Sequence, residues 1–470
     1  MIQPLIETQY RLARHYVDTL RHANDAIHRG RGNRAYWYNR IEQDWGQIRH
    51  WQTWSAAGAE TNGDQSQICL EFPIAGSDVL TVRQSPPERI TWLQQALQAA
   101  QRLNDGLAER TLLYELGHSY ILVGAPEEAR QIALRLLDMA HAVNDDFNVG
   151  RAWFVLGQVN IHQGILDEAE NAFQKSVALL EEVAAEAELG RALQGLGRAA
   201  MYRGDSHRAH DFFRRYLRIV EGSGREAELA PAYLTMNHVL LQLRDYLAAK
   251  SFAEHALQVC LNTGFQRILP IVWLSLGATE SEMGDLEAAC RHYQEGIGAA
   301  RAVQAKSALS ELLWSLADAR MRQDAYAEAY AYLEEALKLA RENHILHLLC
   351  EITTTLARWS MDQEQPGLAR AQLGEATRFA LDLGSDNFLV TVLTAAIMFG
   401  QQVNQPEQAT QWAGVLANHA EHVSRRLFDP LCAQLEQELG SERYKQAFEQ
   451  GRRMRLKDAV SDSVLLLENL

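Results

Sequence analysis

Two histidines and one aspartate form the most compact set of side chains that could do chemistry. His207 and His210 are three residues apart, and Asp211 follows directly. If this segment is helical, both imidazole rings lie on one face and could chelate a divalent metal ion together with the carboxylate. The same residues also suit the solvated start of a helix, and no cysteine is near. We therefore expect no metal site and no cofactor.

Other signatures of catalysis or nucleotide binding are missing from the sequence. The chain has no HExxH, no GxSxG, no glycine-rich dinucleotide fingerprint and no GxxxxGK[ST] phosphate loop. Acidic pairs such as Glu127-Glu128 and Glu334-Glu335 are expected to be solvated on outward helix positions. We predict that the protein is not an enzyme. A catalytic site within residues 56–83 remains as an alternative.

Charge and composition restrict the partners. The 470 residues carry a net charge of −15, whereas a general nucleic-acid binder needs clustered lysine and arginine. No segment approaches 18 consecutive apolar residues, and the sequence after Met1 lacks the features of a secretory signal. The five cysteines are scattered, as expected for reduced core residues. We expect a cytoplasmic protein with no nucleic-acid and no membrane partner.

An alanine recurs every 40 residues along most of the chain. The eight positions are Ala129, Ala169, Ala209, Ala249, Ala289, Ala329, Ala369 and Ala409. A period of this length predicts stacked supersecondary units, each too small to bury its own apolar face. Within a unit, Gly124 suits the left-handed position after one helix, and Pro126 suits the first turn of the next. Each unit is therefore predicted to be a pair of antiparallel helices.

The residues around the alanine resemble the tetratricopeptide repeat (TPR). The TPR pattern W-x2-L-G-x2-Y, followed by G, A and F, is matched by Trp153, Leu156-Gly157, Gly164, Ala169 and Phe173. The resemblance implies an all-α fold, a right-handed TPR superhelix (α-solenoid) of about eight 40-residue helix-turn-helix repeats plus helical caps. The family's usual repeat has about 34 residues, so the helices or connections should be longer here. Helix breaks are expected near residues 124, 164, 204, 244, 284, 324, 364 and 404.

The two ends depart from the period, and the chain is predicted to have four regions. Residues 1–55 should form an N-terminal helical cap, which holds four of the ten tryptophans. Residues 56–105 should hold an irregular segment, with one degenerate helix before residue 84, and then an incomplete leading repeat. Residues 106–424 should form the eight TPR-like repeats, and residues 425–470 a C-terminal helical cap.

Both ends also resemble parts of bacterial STAND-class signalling ATPases. The C-terminal sequence is similar to the ending of their TPR sensor regions at Leu439, Gly440, Ala447, Gly451, Arg452, Leu456, Ala459 and Val460. Near the N-terminus the matching residues are Glu42, Asp44, Ile48, Arg49 and Trp51, whereas Gly46-Gln47 departs from the usual Asn-Leu. The resemblance implies a sensor module, and an associated STAND ATPase or effector would be its partner.

The TPR resemblance also implies which side chains would meet a ligand. In TPR folds the first helix of each repeat lines a concave groove, through positions two, five and nine of the motif. Position two gives Arg151, Arg191, Glu311 and Glu351; position five gives Tyr114, Phe154, Gln194 and Trp314; position nine gives His118, Gln158, Arg198, His238, Asp318 and Arg358. The early groove should be aromatic and basic, and the later groove more acidic.

The favoured function is non-catalytic recognition of a protein or peptide, as the sensor or adaptor part of a bacterial signalling system. Arg151, Arg191 and Arg198 would grip an anionic ligand, with Tyr114 and Phe154 as apolar anchors beside them. Alternatively, the three arginines pair with neighbouring glutamates. A second functional interpretation is a small-molecule inducer sensor that uses the same groove. The lysine and asparagine clamp that binds chaperone C-termini is not found.

Overall fold

The computed structural model describes residues 2–28, 34–224, 226–419 and 425–469, and within these ranges the secondary structure is α-helical without strands. The chain divides into two compact units, Met1–Thr263 and Gly264–Leu470. Unit 1 contains α1 (Ile2–His28), α2 (Arg34–Gly58), α3 (Gly63–Ala75), α4 (Ser77–Arg83), α5 (Pro86–Arg102), α6 (Gly106–Leu122), α7 (Pro126–His141), α8 (Asp146–His162), α9 (Leu166–Glu182), α10 (Glu186–Tyr202), α11 (Ser206–Gly222), α12 (Glu226–Gln242) and α13 (Tyr246–Thr263). Unit 2 contains α14 (Leu269–Met283), α15 (Leu286–Ala302), α16 (Lys306–Met321), α17 (Tyr326–Glu342), α18 (Leu346–Asp362), α19 (Pro366–Leu383), α20 (Asp386–Gln402), α21 (Pro406–Ala417), α22 (Arg425–Leu439), α23 (Ser441–Gly451) and α24 (Leu456–Asn469).

A residue with left-handed backbone conformation recurs every 20 residues between these helices. The positions with positive φ in this series are 104, 124, 144, 164, 184, 204, 224, 244, 264, 284, 304, 324, 344, 364, 384 and 404. Eight of them are the helix breaks predicted from the sequence, and that prediction is confirmed. The other eight separate one repeat from the next.

The hydrogen bonds around each turn explain this regular spacing. At Asn144 the backbone has φ 54°, and the following N–H of Asp145 donates to the Ala140 carbonyl at 2.9 Å. This bond closes the preceding helix in a Schellman motif. The Asp145 carboxylate then accepts from the N–H of Asn148 at 3.1 Å and caps the next helix. Most helices between these turns have 17 residues, and three residues connect them.

The helices pack as consecutive antiparallel pairs in which the first helices form a layer. In unit 1 the first helices are α6, α8, α10 and α12, and α8 contacts both α6 and α10. In unit 2 the first helices are α14, α16, α18 and α20, and α18 contacts both α16 and α20. We call the surface that carries positions two, five and nine of these helices the first-helix face of each unit.

The alanines of the 40-residue period lie at the contacts between helices. All eight, from Ala129 to Ala409, are fully buried. The small residue twelve positions earlier is enclosed as well, since a Cβ on Gly117 would lie 3.2 Å from Cγ1 of Val155 on the next first helix. Packing at close to crystalline density leaves no room for larger side chains at such positions. The prediction that these small residues mark close helix packing agrees with this geometry.

The expectation of an irregular segment between residues 56 and 83 is wrong. Helix α2 continues to Gly58, and α3 and α4 occupy Gly63–Ala75 and Ser77–Arg83. The glycines that suggested irregularity lie at helix ends instead, and the Asn62 side chain caps α3 by accepting from the N–H groups of Asp64 and Gln65. Helix α3 packs against α5, which forms the predicted second helix of a leading pair.

The C-terminal helices attach through an unusually close backbone contact. A Cβ on Gly451 of α23 would lie 1.8 Å from the carbonyl oxygen of Gln411, and a Cβ on Gly414 of α21 would lie 2.1 Å from that of Phe448. Only glycine allows helices to cross at this distance. Helix α24 packs on α19 and α20 of the last repeats. The predicted boundary at residues 424–425 falls at the edge of a stretch outside the described residues, so the four-region division stays a prediction.

Candidate ligand-binding face

The structure places the predicted groove residues of unit 1 on its first-helix face, but at different depths. Tyr114 and Phe154 are only 2% and 6% exposed and belong to the hydrophobic core. Neighbouring first helices contact each other, so they cover position five. The interpretation of these two rings as anchors for a ligand therefore needs correction, because little of either ring is accessible. Of the remaining predicted residues, His118, Arg151, Gln194, Arg191 and Arg198 are half-buried, Gln158 is buried, and His238 is exposed.

Arg151 is held by groups of the protein itself. Its Nη2 lies 2.5 Å from Oε1 of Glu188, which is on the next first helix. Its guanidinium group also stacks over the rings of Tyr114 and Phe147, at 4.4 and 4.2 Å from their centroids. Both members of the ion pair are largely buried. Arg151 thus links three neighbouring first helices and pairs with a glutamate, as the alternative prediction proposed for all three arginines.

Arg191 and Arg198 differ from Arg151 because neither forms an ion pair with a carboxylate of the described residues, although the charges of Glu188 and Glu115 act on Arg191 from a greater distance. Nη1 of Arg191 donates to the phenolic oxygen of Tyr114 at 3.2 Å, a neutral partner. For Arg198, the described residues supply neither an ion pair nor a hydrogen bond. Two guanidinium groups with unused hydrogen-bond donors therefore lie seven residues apart on α10, where a carboxylate could reach them.

Two further polar side chains of the predicted groove lie on the neighbouring first helices α6 and α8. Gln158 of α8 is only 9% exposed, and its Oε1 accepts no hydrogen bond within the described structure. Buried polar atoms are nearly always hydrogen-bonded, and this oxygen is an exception that has almost no surface accessible to a ligand. On α6, burial lowers the pKa of His118, opposed by the nearby Glu115 charge. The face therefore contains an imidazole whose pKa is lowered by burial, a buried amide oxygen without a donor and the two guanidinium groups of α10.

A second buried ion pair joins α5 to α6 at the edge of the first-helix face of unit 1. Nη2 of Arg89 donates to Oε2 of Glu115 at 2.6 Å, and Arg89 is only 4% exposed. Sequence reasoning missed this pair, because Arg89 lies outside the eight regular repeats and 26 residues from its partner. No local pattern in the sequence indicates it. Its consequence is that the arginines at α5 and α8 have ion-pair partners, whereas the charges of Glu188 and Glu115 act on Arg191 of α10 without forming an ion pair with it.

The first-helix face of unit 2 carries three carboxylates, at Glu311, Asp318 and Glu351, together with Arg358. Burial raises the pKa of Glu311, of Asp318 and of Glu351, the last to about 7. The charge of Asp318 raises the Glu351 value further, whereas Arg358 lowers that of Asp318. The indole N–H of Trp314 donates to Oγ1 of Thr355 at 3.0 Å and is occupied within the protein.

Two stretches of the chain match family models that are described as tetratricopeptide repeat. They span residues 148–222 in unit 1 and 310–343 in unit 2. The chain contains tetratricopeptide repeats. Proteins of this repeat type form interaction scaffolds and adaptors. The first match covers α8 to α11, and thus the TPR helices that carry Arg151, Arg191 and Arg198.

Several solved TPR structures are similar to this chain at low sequence identity. A STAND signal-transduction ATPase with a TPR sensor, from Pyrococcus horikoshii, has 16% identity over 66% of this chain and 47% of its own, with a TM-score of 0.49. Aspartyl phosphate phosphatase F from Bacillus subtilis has 12% identity over 69% of this chain and 93% of its own, with a TM-score of 0.47. A chain of the APC/C hetero-tetramer Cut9–Hcn1 has 17% identity over 72% of this chain and 59% of its own, with a TM-score of 0.46. No curated protein sequence matches the chain.

A cavity of about 420 Å³ opens on another side of the unit 1 repeats, between α7, α8 and α9. It is lined by Arg130, Leu134, Trp153, Leu156, Asn160, Asp167, Glu168, Asn171 and Ala172. None of the predicted groove residues lines it. Among the described residues no group of three or more potential ligands is placed to hold a metal ion, and Nδ1 of His210 lies 3.8 Å from Asp211. No described helix is long and apolar enough to cross a membrane.

Proposed function

We propose that this chain is a non-catalytic TPR scaffold that binds a protein or peptide partner on the first-helix face of unit 1. The observation that carries the proposal is that Arg191 and Arg198 are half-buried and form no ion pair with the described residues, on a layer where Arg89 and Arg151 each have one. Desolvated guanidinium groups bind carboxylates through charge-assisted hydrogen bonds. An acidic segment of a partner would therefore supply carboxylates for Arg191 and Arg198.

The partner binding serves a sensor or adaptor role in a bacterial signalling system. Support comes from the similarity of the C-terminal sequence to STAND-class TPR sensor regions. One of the matching residues, Gly451, is also the glycine that lets α23 cross α21. A STAND ATPase or another effector is then the protein that responds to occupancy of the face.

Affinity capture from the source cell tests the proposal with a matched pair of variants. The test variant is Arg191→Ala/Arg198→Ala. The control is Arg214→Ala/Arg218→Ala, which removes the same charge from exposed positions on second helix α11. A partner retained by the wild type and the control, but lost from the test variant, is the expected result. Equal capture by all three folded proteins, checked by circular dichroism, refutes the assignment of the binding face.

A small-molecule sensor is the second candidate, and the 420 Å³ cavity favours it. The volume lies within the usual range of ligand pockets, and Trp153 and Leu156 supply apolar lining. This site differs from the groove that the sequence suggested. Replacing Leu134 with Trp, which would fill the half-exposed side of the cavity, should abolish ligand-induced thermal stabilisation if this candidate is correct.

A further inference from the structure

We infer that the 420 Å³ cavity between α7, α8 and α9 binds a small molecule with one carboxylate and an apolar body. The carboxylate contacts Arg130 and Asn160, and the apolar body lies against Trp153 and Leu134. The inference rests on the second candidate function and names the ligand class of that cavity. It does not depend on the first-helix face.

Arg130 supplies a guanidinium group that has only neutral partners. Its Nη2 donates to Oδ1 of Asn160 at 2.9 Å and to Oε1 of Gln163 at 2.6 Å. Gln163 donates in turn to Oε1 of Glu127 at 2.6 Å, so this carboxylate is bound by the amide. Within the described part of the chain Arg130 forms no ion pair, and its Nε and Nη1 donate no hydrogen bond. These donors suit a ligand carboxylate.

Asn160 supplies a buried donor in a fixed orientation. The residue is only 5% exposed and lies in the cavity wall. Because its Oδ1 accepts from Arg130, the amide cannot be turned around, and Nδ2 lies on the other side of the group. Nδ2 donates to none of the described residues, yet it keeps accessible surface, in contrast to Oε1 of Gln158. An oxygen of a ligand can therefore accept from it.

The apolar part of the cavity is formed mainly by Trp153 of α8 and Leu134 of α7. Leu134 is 46% exposed, which is unusual for a leucine at a cavity wall and leaves apolar surface in water. Nζ of Lys175 lies 4.0 Å from the centroid of the Trp153 ring. A ligand ammonium would compete with this lysine for the same indole face, so an apolar body without positive charge fits better.

The charges around the cavity restrict the ligand to a single negative charge. Two carboxylates, Asp167 and Glu168, lie in its wall. Oδ1 of Asp167 is 2.7 Å from Nη2 of Arg203, so its charge is compensated within the protein. Glu168 is exposed and opposes the positive charges of Arg130 and Lys175. One positive charge remains in excess, which favours a monocarboxylate over a phosphate or a dicarboxylate.

Isothermal titration calorimetry of the full chain with naphthylacetate, naphthylacetamide and naphthylethylamine tests the inference. The three probes share one ring and differ in charge. We expect the carboxylate to bind at least about tenfold more tightly than the amide, and the amine not to bind measurably. Arg130→Gln should remove the preference for the carboxylate over the amide, whereas Arg130→Lys, which keeps the charge, should retain part of it.

Arg370 offers a matched control for the charge. It is half-buried at the same repeat position, 240 residues after Arg130, and the residues that correspond to Trp153 and Asn160 are leucine and glycine there. Arg370→Gln removes the same charge from the protein and should leave the affinity for naphthylacetate unchanged. Circular dichroism of each variant shows whether the fold is retained.

Each result either supports the inference or overturns it. Equal affinity for carboxylate and amide, with both lost in Leu134→Trp, overturns the carboxylate assignment and retains the cavity. Tightest binding of the amine overturns it as well. Binding that neither Leu134→Trp nor Arg130→Gln weakens places the ligand elsewhere. If no probe binds, the inference is refuted, whereas the first-helix face is still decided by the capture experiment with Arg191→Ala/Arg198→Ala.

Discussion

The ring of Phe213 occupies the space that a side chain on Gly197 would need. A Cβ on Gly197 would lie 2.3 Å from Cε1 of Phe213, which is itself buried on the paired second helix. The other pairs with this sixteen-residue spacing include Gly157–Phe173, Gly277–Tyr293, Ala317–Leu333 and Ala357–Leu373. In these five pairs glycine accompanies an aromatic ring and alanine accompanies leucine, so a larger side chain on one helix is matched by a smaller one on the other.

Replacement of Gly197 by alanine should therefore be rescued by a second change. Gly197→Ala alone should lower the free energy of unfolding by about 1–3 kcal/mol, because the rigid ring of Phe213 cannot move aside. Adding Phe213→Leu reproduces the alanine–leucine pair of the later repeats and should recover most of that loss. Urea denaturation of the four proteins gives the coupling energy. Simple additivity of the two single changes would contradict a shared volume.

Replacing a buried alanine of the 40-residue period by a larger side chain should destabilise the protein. Ala209→Leu and Ala289→Leu should each lower the free energy of unfolding by about 1–3 kcal/mol, and the loss should spread into adjacent repeats because they share an interface. Ala178→Leu, at an exposed position on α9, is the control. The measurement is thermal unfolding followed by circular dichroism. Unchanged melting of both buried variants would mean that the helices part more easily than their contacts indicate.

Replacing an alanine in a left-handed turn by glycine should stabilise the protein. Ala184 has φ 53°, a conformation that costs an L-residue about 1–2 kcal/mol and glycine almost nothing. We expect Ala184→Gly to raise the free energy of unfolding by about 0.5–1 kcal/mol, after the greater entropy of an unfolded glycine is subtracted. Ala178→Gly, in the middle of helix α9, should lower it by about 1 kcal/mol. Equal signs for the two substitutions in urea titrations would count against the turn assignment.

The raised pKa of Glu351 predicts that unit 2 loses stability as pH rises. Its folded value of about 7 exceeds the ordinary 4.5, so the folded state holds the proton more tightly. The stabilisation is complete below pH 4.5 and disappears as pH rises through 7. Glu351→Gln should therefore stabilise the protein by about 1–3 kcal/mol at pH 8 and have little effect at pH 4.5. Glu342→Gln, at an exposed position on α17, is the control variant.

Half of the turns could be predicted from the sequence and half could not. Gly124, Gly164 and Gly204 fall on the 40-residue period and suit a left-handed backbone. The turns between repeats use Ala184 and Gln304 as well, which no propensity would place there. These residues adopt the strained conformation because the helices on either side are already fixed by packing. The 20-residue spacing thus comes from helix length rather than from turn residues.

The sequence could predict which helices carry the candidate face, but not which of its arginines form ion pairs. Motif positions place Arg151 and Arg191 on first helices, and the structure agrees. However, the partner of Arg151 is Glu188 on the next repeat, 37 residues away, and only the contact between neighbouring first helices brings the two together. The same contact covers Tyr114. Which arginine remains available therefore depends on tertiary packing that a single-sequence pattern does not contain.

The uniform turns have a consequence for how such a gene can change. A residue with left-handed backbone conformation precedes each helix from α6 to α21, and at most of these turns the next N–H closes the preceding helix in the same way, as at Ala125 and Asp145. A duplication or deletion of 40 codons that begins at one such turn would join two ends that already have matching geometry. Unequal recombination could thus lengthen or shorten this coding sequence by whole units without requiring a new junction to evolve.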